Sequence, residues 1–424
     1  MNSNHFEVWF KVAVTFIVLL LTNDLISQTK EPKVVFVIAD GIPADLIERT
    51  AKPNIAKIIQ QGVYKRAYVG GIKGSYNQTP SVSAPGYNNL ITGTWANKHN
   101  VYNNSITAPN YHYWSIFRLL KNQYPQKKTA IFSTWKDNRT KLIGDGLAEA
   151  GGYKVDIAFD GYELDTIRFP HDKQADYIHL IDELVVHQAD STIRASAPDL
   201  SWVYLEYTDD MGHKYGDGEK MEKAIDYLDI QMGKLWEAIQ HRQKNYAEDW
   251  LIIITTDHGR DAVTGKNHGG QTDRERTTWL VMNAKKTNAY FKENEPAIVD
   301  ILPSIAGFMR IDIPEENKHA LDGVSFLEPI SISHPMLLVE KDSLIIQWKS
   351  YEKKGQVKIL ISTSNQFKEG KQDKFQQIAG IPIAKNRFAI SLKEYAAPYY
   401  KFLLKGVKNN ITSEITINGT VLTK

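Results

Sequence analysis

The chain is 424 residues long, 42% hydrophobic and 24% charged, which suits a folded soluble protein with room for one large domain and a smaller one. A formal net charge of +2 excludes the basic field that gathers nucleic acid, so no specific nucleic-acid partner is expected. Cysteine is absent, which rules out disulfides, thiolate nucleophiles, thiolate metal ligands and a cysteine-linked lipid anchor.

At the N-terminus Lys11 is followed by an apolar run, residues 12–21, broken only by Thr15. The run is too short to cross a bilayer comfortably, and it reads as a signal peptide over residues 1–28 with cleavage near Ser27. That implies a periplasmic or secreted protein with no stable membrane span after cleavage; an uncleaved anchor is the alternative. Residues 33–39 (KVVFVIA) form a β-branched run ending at Asp40-Gly41, as expected of a buried parallel strand. Similar runs recur at 128–133, 200–206, 250–255 and 278–282, with helical patterns at 53–61, 114–122, 175–188, 220–239 and 298–308 between and after them. This alternation predicts an α/β domain over residues 29–330, with a mainly parallel central sheet and helices on both faces. Three strands end in polar clusters: Asp40, then Tyr207-Thr208-Asp209, then Thr256-Asp257-His258. Ligand sites of open α/β sheets lie beyond those carboxyl ends. After residue 330 the helical period disappears, and strand-like runs at 343–350, 356–363, 387–392 and 399–404 predict an all-β sandwich over residues 335–424. It is similar to a fibronectin type III module, with Trp348 and Tyr399-Tyr400 in its core, and its expected role is to dock or to stabilise.

Four segments bring metal-type side chains: Asp40, Asp209 and His213 in Asp-Asp-Met-Gly-His, Asp257-His258, and His268 in Gly-Lys-Asn-His-Gly-Gly. Without cysteine, a catalytic metal must be held by imidazole and carboxylate, a mixture that suits zinc better than calcium or magnesium. Each piece alone is unremarkable, since Asp-Gly is a common turn and Asp-x-x-x-His a common surface spacing. Their order at three strand ends gives them weight. Ser83 precedes Ala84-Pro85, where a helix is expected to begin. It reads either as a plain N-cap or as a nucleophile helped by the positive helix end. Lys136 or Arg139 in Thr-Trp-Lys-Asp-Asn-Arg could lie over a phosphate, or could belong to a solvated loop. Asp210 reads as support for Asp209, and residues 271–276 as a salt-bridged segment.

In this order the residues resemble the alkaline phosphatase superfamily, and within it the nucleotide pyrophosphatase/phosphodiesterase branch. The resemblance rests on Asp40-Gly41, Ser83-Ala-Pro, Thr92-Gly93, Asp209-x-x-Gly-His213-Lys-Tyr-Gly and Asp257-His-Gly, and covers residues 33–310. It implies two zinc ions, one held by Asp40, Ser83, Asp257 and His258, the other by Asp209, His213 and His268. It further implies that Ser83 attacks a small phosphate ester, forming a phosphoseryl enzyme that water hydrolyses, and that Asn104, or its neighbour Asn103, contacts a phosphoryl oxygen. Diesters are expected to be preferred over monoesters. His268 follows Asp257 closely, where the phosphodiesterases carry a long insertion, so their substrate cap is expected to be missing. A sulfatase-like hydrolase is a rival within the superfamily, although Gly86 and Tyr87 follow Pro85 where the sulfatase modification signal would stand. A phosphoethanolamine-type transferase is a second rival, and a binding protein on a degenerate enzyme fold is the non-enzyme alternative.

Overall fold

The structure is a computed structural model that describes residues 30–417; the segment read as a signal peptide lies outside the described residues. Seven strands form the first sheet: β1 (Glu31–Ala39), β2 (Val63–Tyr68), β3 (Thr129–Ser133), β4 (Ile157–Phe159), β5 (Leu200–Leu205), β6 (Glu248–Thr255) and β7 (Thr277–Met282). Their order is β2-β7-β6-β1-β5-β3-β4. From β6 to β4 the neighbours run parallel, with β1 central and in register with both β5 (Val34 opposite Leu200) and β6 (Val34 opposite Leu251). The run at 278–282 joins antiparallel to β6, and β2, which the sequence reading passed over, pairs antiparallel with β7.

β1 shows why the sheet is covered on both sides. Every residue after Glu31 is buried, so the strand reads as continuously apolar. Val34, Phe36 and Ile38 face α2 (Ser83–Thr92), α3 (Ile116–Gln123) and α7 (Ile301–Phe308). Val35, Val37 and Ala39 face α1 (Pro53–Gln61), α4 (Asp176–Ser196) and α6 (Glu219–Asn245). A nine-residue helix, α5 (Tyr207–Tyr215), leaves the end of β5. This is the mainly parallel sheet with helices on both faces that the sequence alternation predicts. Among the described residues no helix is long and apolar enough to cross a membrane.

The C-terminal part is a sandwich of two antiparallel sheets. One has the order β11-β10-β13-β14, from β10 (Gln356–Ser362), β11 (Gln376–Pro382), β13 (Tyr399–Lys405) and β14 (Asn410–Thr416). The other has the order β12-β9-β8, from β8 (Ile332–Glu340), β9 (Ser343–Ser350) and β12 (Arg387–Ser391). Trp348 is buried and its indole donates to the Ile383 carbonyl (3.0 Å). The Tyr400 hydroxyl donates to the Tyr395 carbonyl (2.5 Å) and accepts from the Ala397 N–H (2.9 Å), a tyrosine corner that ties the start of β13 to the chain before it. The apolar core beneath β1 continues without a break into Ile332, Leu344 and Trp348, so the sandwich is packed on the α/β unit. At the seam the buried Lys98 ammonium meets Asp322 at 2.7 Å.

Candidate active site and metal centre

The three central strands β6, β1 and β5 deliver the site. β1 ends at Asp40 and β6 leads into Asp257-His258, while α5 carries Asp209 and His213 one turn apart on a shared face. Asp40, Asp257 and His258 form one group of converging ligand atoms, and Asp209, His213 and His268 a second. In the first, His258 Nε2 lies 3.4 Å from Asp40 Oδ1 and 3.3 Å from Asp257 Oδ2, with Ser83 Oγ at 3.5 Å. In the second, His213 Nε2 is 3.2 Å from Asp209 Oδ2 and 3.1 Å from His268 Nε2. The His258 and His268 rings stack with centroids 3.7 Å apart, so the groups adjoin.

Hydrogen bonds turn each ligand inward. His258 Nδ1 faces the Gly259 carbonyl (2.9 Å) and His268 Nδ1 the Ser81 carbonyl (3.0 Å). A carbonyl can only accept, so both rings carry the proton on Nδ1 and present the Nε2 lone pair to the site. Asp40 Oδ2 accepts from the hydroxyls of Tyr87 and Tyr204 (the latter at 2.8 Å), and Asp257 Oδ1 accepts the Gly41 N–H (3.1 Å). Their other oxygens, Asp40 Oδ1 and Asp257 Oδ2, are buried and have no hydrogen-bond partner among the described residues. These are the two atoms that face His258 Nε2.

Arg260, like Tyr87 and Tyr204, is a residue the sequence reading missed. It is fully buried, donates to the carbonyls of Gly41 (2.9 Å), Lys266 (3.1 Å) and Asp209 (2.8 Å), and pairs with the Asp209 carboxylate. One guanidinium thus links the turn after Asp40, the helix of Asp209 and the loop leading to His268. Space for it comes from Gly41, at φ +66°, and Gly212, where a Cβ would collide with the guanidinium. Those two glycines, each inside a ligand motif, were the available signal for a bulky neighbour.

The electrostatics differ between the groups. Burial, followed by the charges of Asp257 and Asp209, pushes the Asp40 carboxyl well up, and burial with Asp209 pushes Asp257 up to about 7. Burial also works against charge on Asp209, but His213, Arg260 and His258 outweigh it and hold that carboxyl well below the usual range. Burial, then His268, pulls His258 well down, and burial lowers His268; the hydrogen bond to Asp209 raises His213.

These residues fit divalent cations. Ligands at about 2.0–2.1 Å from a tetrahedral zinc stand roughly 3.3 Å from one another. The pairs quoted above lie at 3.1–3.5 Å. Two buried carboxylate oxygens facing each other without a partner cost several kcal/mol each unless a cation or a shared proton sits between them. Neutral imidazoles with free Nε2 atoms complete a donor set of the zinc type.

Ser83 is the first residue of α2, after the extended Val82, so it lies inside the helix start and is not the N-cap itself. Asn104 comes to the same place: its Oδ1 accepts the Ala84 N–H (3.0 Å). Because an N–H must donate, that contact fixes the amide and turns Nδ2 away from it, with no hydrogen-bond partner among the described residues. Asn103 instead closes its own turn on the Ser105 N–H. Arg139, read as a phosphate contact or as part of a solvated loop, is not brought to either ligand group. Its guanidinium is engaged by Asp160 through Nε (2.5 Å) and Nη2 (3.0 Å) and by Asp145 through Nη1 (2.7 Å). Lys136 is exposed, and its backbone N–H is held by Glu163 (2.7 Å). Among the described residues neither side chain bonds to either ligand group.

A family model described as type I phosphodiesterase / nucleotide pyrophosphatase matches residues 34–320. Among curated proteins, a 2,3-bisphosphoglycerate-independent phosphoglycerate mutase of Mycoplasma mycoides is 31% identical over 109 residues, 26% of this chain and 19% of that protein. The venom phosphodiesterase of Naja atra is 25% identical over 168 residues, 38% of this chain and 20% of that protein. The chain therefore spans only about a fifth of the length of these relatives. Among solved structures, a candidate sulfatase from Bacteroides thetaiotaomicron matches with a TM-score of 0.50 and 11% identity, over 87% of this chain and 86% of that one. At that identity the likeness is one of fold.

Proposed function

The chain belongs to the type I phosphodiesterase / nucleotide pyrophosphatase family, and from that membership we propose that it is a two-zinc phosphoric ester hydrolase acting through a phosphoseryl intermediate on Ser83. The observation that carries the reading is the pair of buried, partnerless oxygens, Asp40 Oδ1 and Asp257 Oδ2, facing His258 Nε2 with Ser83 Oγ beside it. Asp40, Asp257, His258 and Ser83 would hold one ion, and Asp209, His213 and His268 the other. When bound, zinc supplies the positive charge that eases loss of the serine proton and balances charge on the leaving oxygen.

The chain's own residues do the rest. Ser83 sits at the positive end of the ten-residue α2, which favours both an alkoxide and a phosphate. Its Oγ attacks phosphorus, the ester oxygen departs on the opposite side, and water later displaces the phosphoryl group from the serine. Asn104 Nδ2, held by the Ala84 contact, donates to a non-bridging oxygen. With Arg139 neutralised by two aspartates, the site lacks that cation for the second charge of a monoester, which favours diesters. Only ten residues lie between Asp257 and His268, leaving no room for a large cap and no argument for a nucleotide substrate. Export to the periplasm or medium is part of the proposal, supported by the apolar run at 12–21. So is the division into a catalytic domain over 29–330 and a fibronectin type III-like sandwich over 335–424, supported by the strand order and the tyrosine corner.

The test is hydrolysis of an aryl phosphodiester and the matching monoester by zinc-loaded protein, before and after Ser83→Ala. The proposal expects faster diester turnover, abolished by the substitution. Full activity in Ser83→Ala would overturn the covalent route, and no hydrolysis of either ester would overturn the hydrolase reading.

A further inference from the structure

Asn104 stands on the tip of an exposed loop, yet its amide must meet the first N–H groups of α2 within a fraction of an ångström. The base of the loop is held by the α/β unit: the Asn110 N–H bonds the His99 carbonyl (2.9 Å), and His99 is buried against Asn89 (2.8 Å). Ile106, two residues after Asn104, is buried at φ +45°, a left-handed conformation that a β-branched side chain adopts only under constraint. The far side of the loop is held by the other unit. The sandwich's 3-10 turn Gln366–Glu369 lies against it: the Asn110 side chain donates to the Lys368 carbonyl (2.8 Å), and the Tyr113 and Phe367 rings meet edge to face at 5.2 Å. Gly370, in the left-handed region at φ +77°, lies against the exposed His112 ring, which a Cβ would displace. The turn itself is fixed from β13, where buried Lys401 pairs with Asp373 (2.7 Å) and Asp373 accepts the Gln366 N–H (2.6 Å).

We infer that the sandwich is a working part of the active site: Phe367 and its turn are positioning elements that set Asn104 against the start of the Ser83 helix. This rests on the phosphoryl-contact role proposed above for Asn104. The unbroken line runs Lys401, Asp373, Phe367, Tyr113, the strained loop, Asn104, Ala84.

The experiment pairs kinetics on an aryl phosphodiester with amide hydrogen exchange, using full-length zinc-loaded protein. Phe367→Ala loses the ring contact, and Gly370→Ala strains the left-handed end of the turn beside His112 without deleting core. Each is expected to lower kcat/KM about tenfold by misplacing the loop. Each is also expected to speed exchange across residues 100–113 while leaving residues 83–92 and the zinc content unchanged. In an Asn104→Ala background, Phe367→Ala is expected to add nothing. Losses that multiply in the double variant, or unchanged loop exchange in both single variants, would overturn the inference. If the unmodified protein hydrolyses no phosphate ester, the functional reading fails, and the exchange measurement still decides whether the turn braces the loop.

Discussion

The two ligand groups share a stacked pair of histidines, yet they solve the problem of buried charge differently. The group of Asp40, Asp257 and His258 is closed: each member is buried, and two carboxylate oxygens lack hydrogen-bond partners among the described residues. The group of Asp209, His213 and His268 is open: the His213 side chain is 44% exposed, and Arg260 already balances Asp209. The closed group is therefore complete only with a cation or a proton, while the open group is tolerable without either. This places Ser83, the nucleophile proposed above, beside the group that most needs a cation.

The largest expected effect separates the two groups directly. Asp257→Asn, which removes charge from the closed group, is expected to lower kcat by roughly 1,000-fold and to leave one zinc equivalent unbound at any reasonable zinc concentration. His213→Ala in the open group is expected to lose about 10- to 100-fold and to recover in part as zinc is raised. Equal losses with equal recovery, read from turnover against zinc concentration, would erase the distinction.

Next in size is Arg260→Met. Removing this cation leaves Asp209 uncompensated, which is expected to destabilise the zinc-free protein by about 3–5 kcal/mol in urea unfolding. Saturating zinc should restore much of that stability, because the ion takes over the countercharge. An unchanged urea midpoint in the zinc-free variant would mean that Asp209 does not need Arg260.

The pH dependence of stability follows from the carboxyls of the closed group. Asp40 and Asp257 titrate above their unfolded values, so between about pH 4 and 7 these two carboxyls hold more protons in the zinc-free native state than in the unfolded chain, while the lowered His258 and His268 hold fewer. The contribution of the two carboxyls to zinc-free stability should therefore fall as pH rises across that window, and the contribution of the two histidines should rise. The lowered Asp209 acts in the opposite sense and only below it. The carboxyl part is read as a difference: relative to Asp257→Asn, the zinc-free unmodified protein should lose melting temperature from pH 4.5 to 7, and a difference that grows in its favour would contradict the assignment. Smallest is Tyr204→Phe, which removes one of two hydroxyls on Asp40 Oδ2 and should weaken zinc binding by about 1 kcal/mol in a competition titration. A loss as large as that of Asp257→Asn would show that orientation, not charge, governs the closed group.

Much of this was legible in the chain because local pattern and chemistry coincide. Asp40, Asp209 and Asp257 each follow an apolar strand, and such strands end at one edge of a parallel sheet. Asn104 was legible only through its resemblance to a family, since nothing local ties a loop asparagine to a helix twenty residues earlier. Arg260, Tyr87 and Tyr204 escaped because their partners are remote: Arg260 meets Asp209 across 51 residues, and the Tyr204 hydroxyl reaches Asp40 across 164. In the sandwich, β8 was hidden by Pro335 and by a register shift where His334 turns to φ +52°, which breaks the alternation that marks a strand. β2 and β7 form the antiparallel margin of an otherwise parallel sheet, and a six-residue edge strand with polar positions carries little signal.

The central claim is that two adjacent ions are held by seven named residues, with Ser83 on one of them. Anomalous diffraction at the zinc edge from crystals grown with zinc tests it most directly. Two peaks about 3.5–4 Å apart are predicted, one bound by Asp40, Asp257, His258 and Ser83 and the other by Asp209, His213 and His268. A single peak, or a pair in which Ser83 coordinates neither ion, would contradict the account.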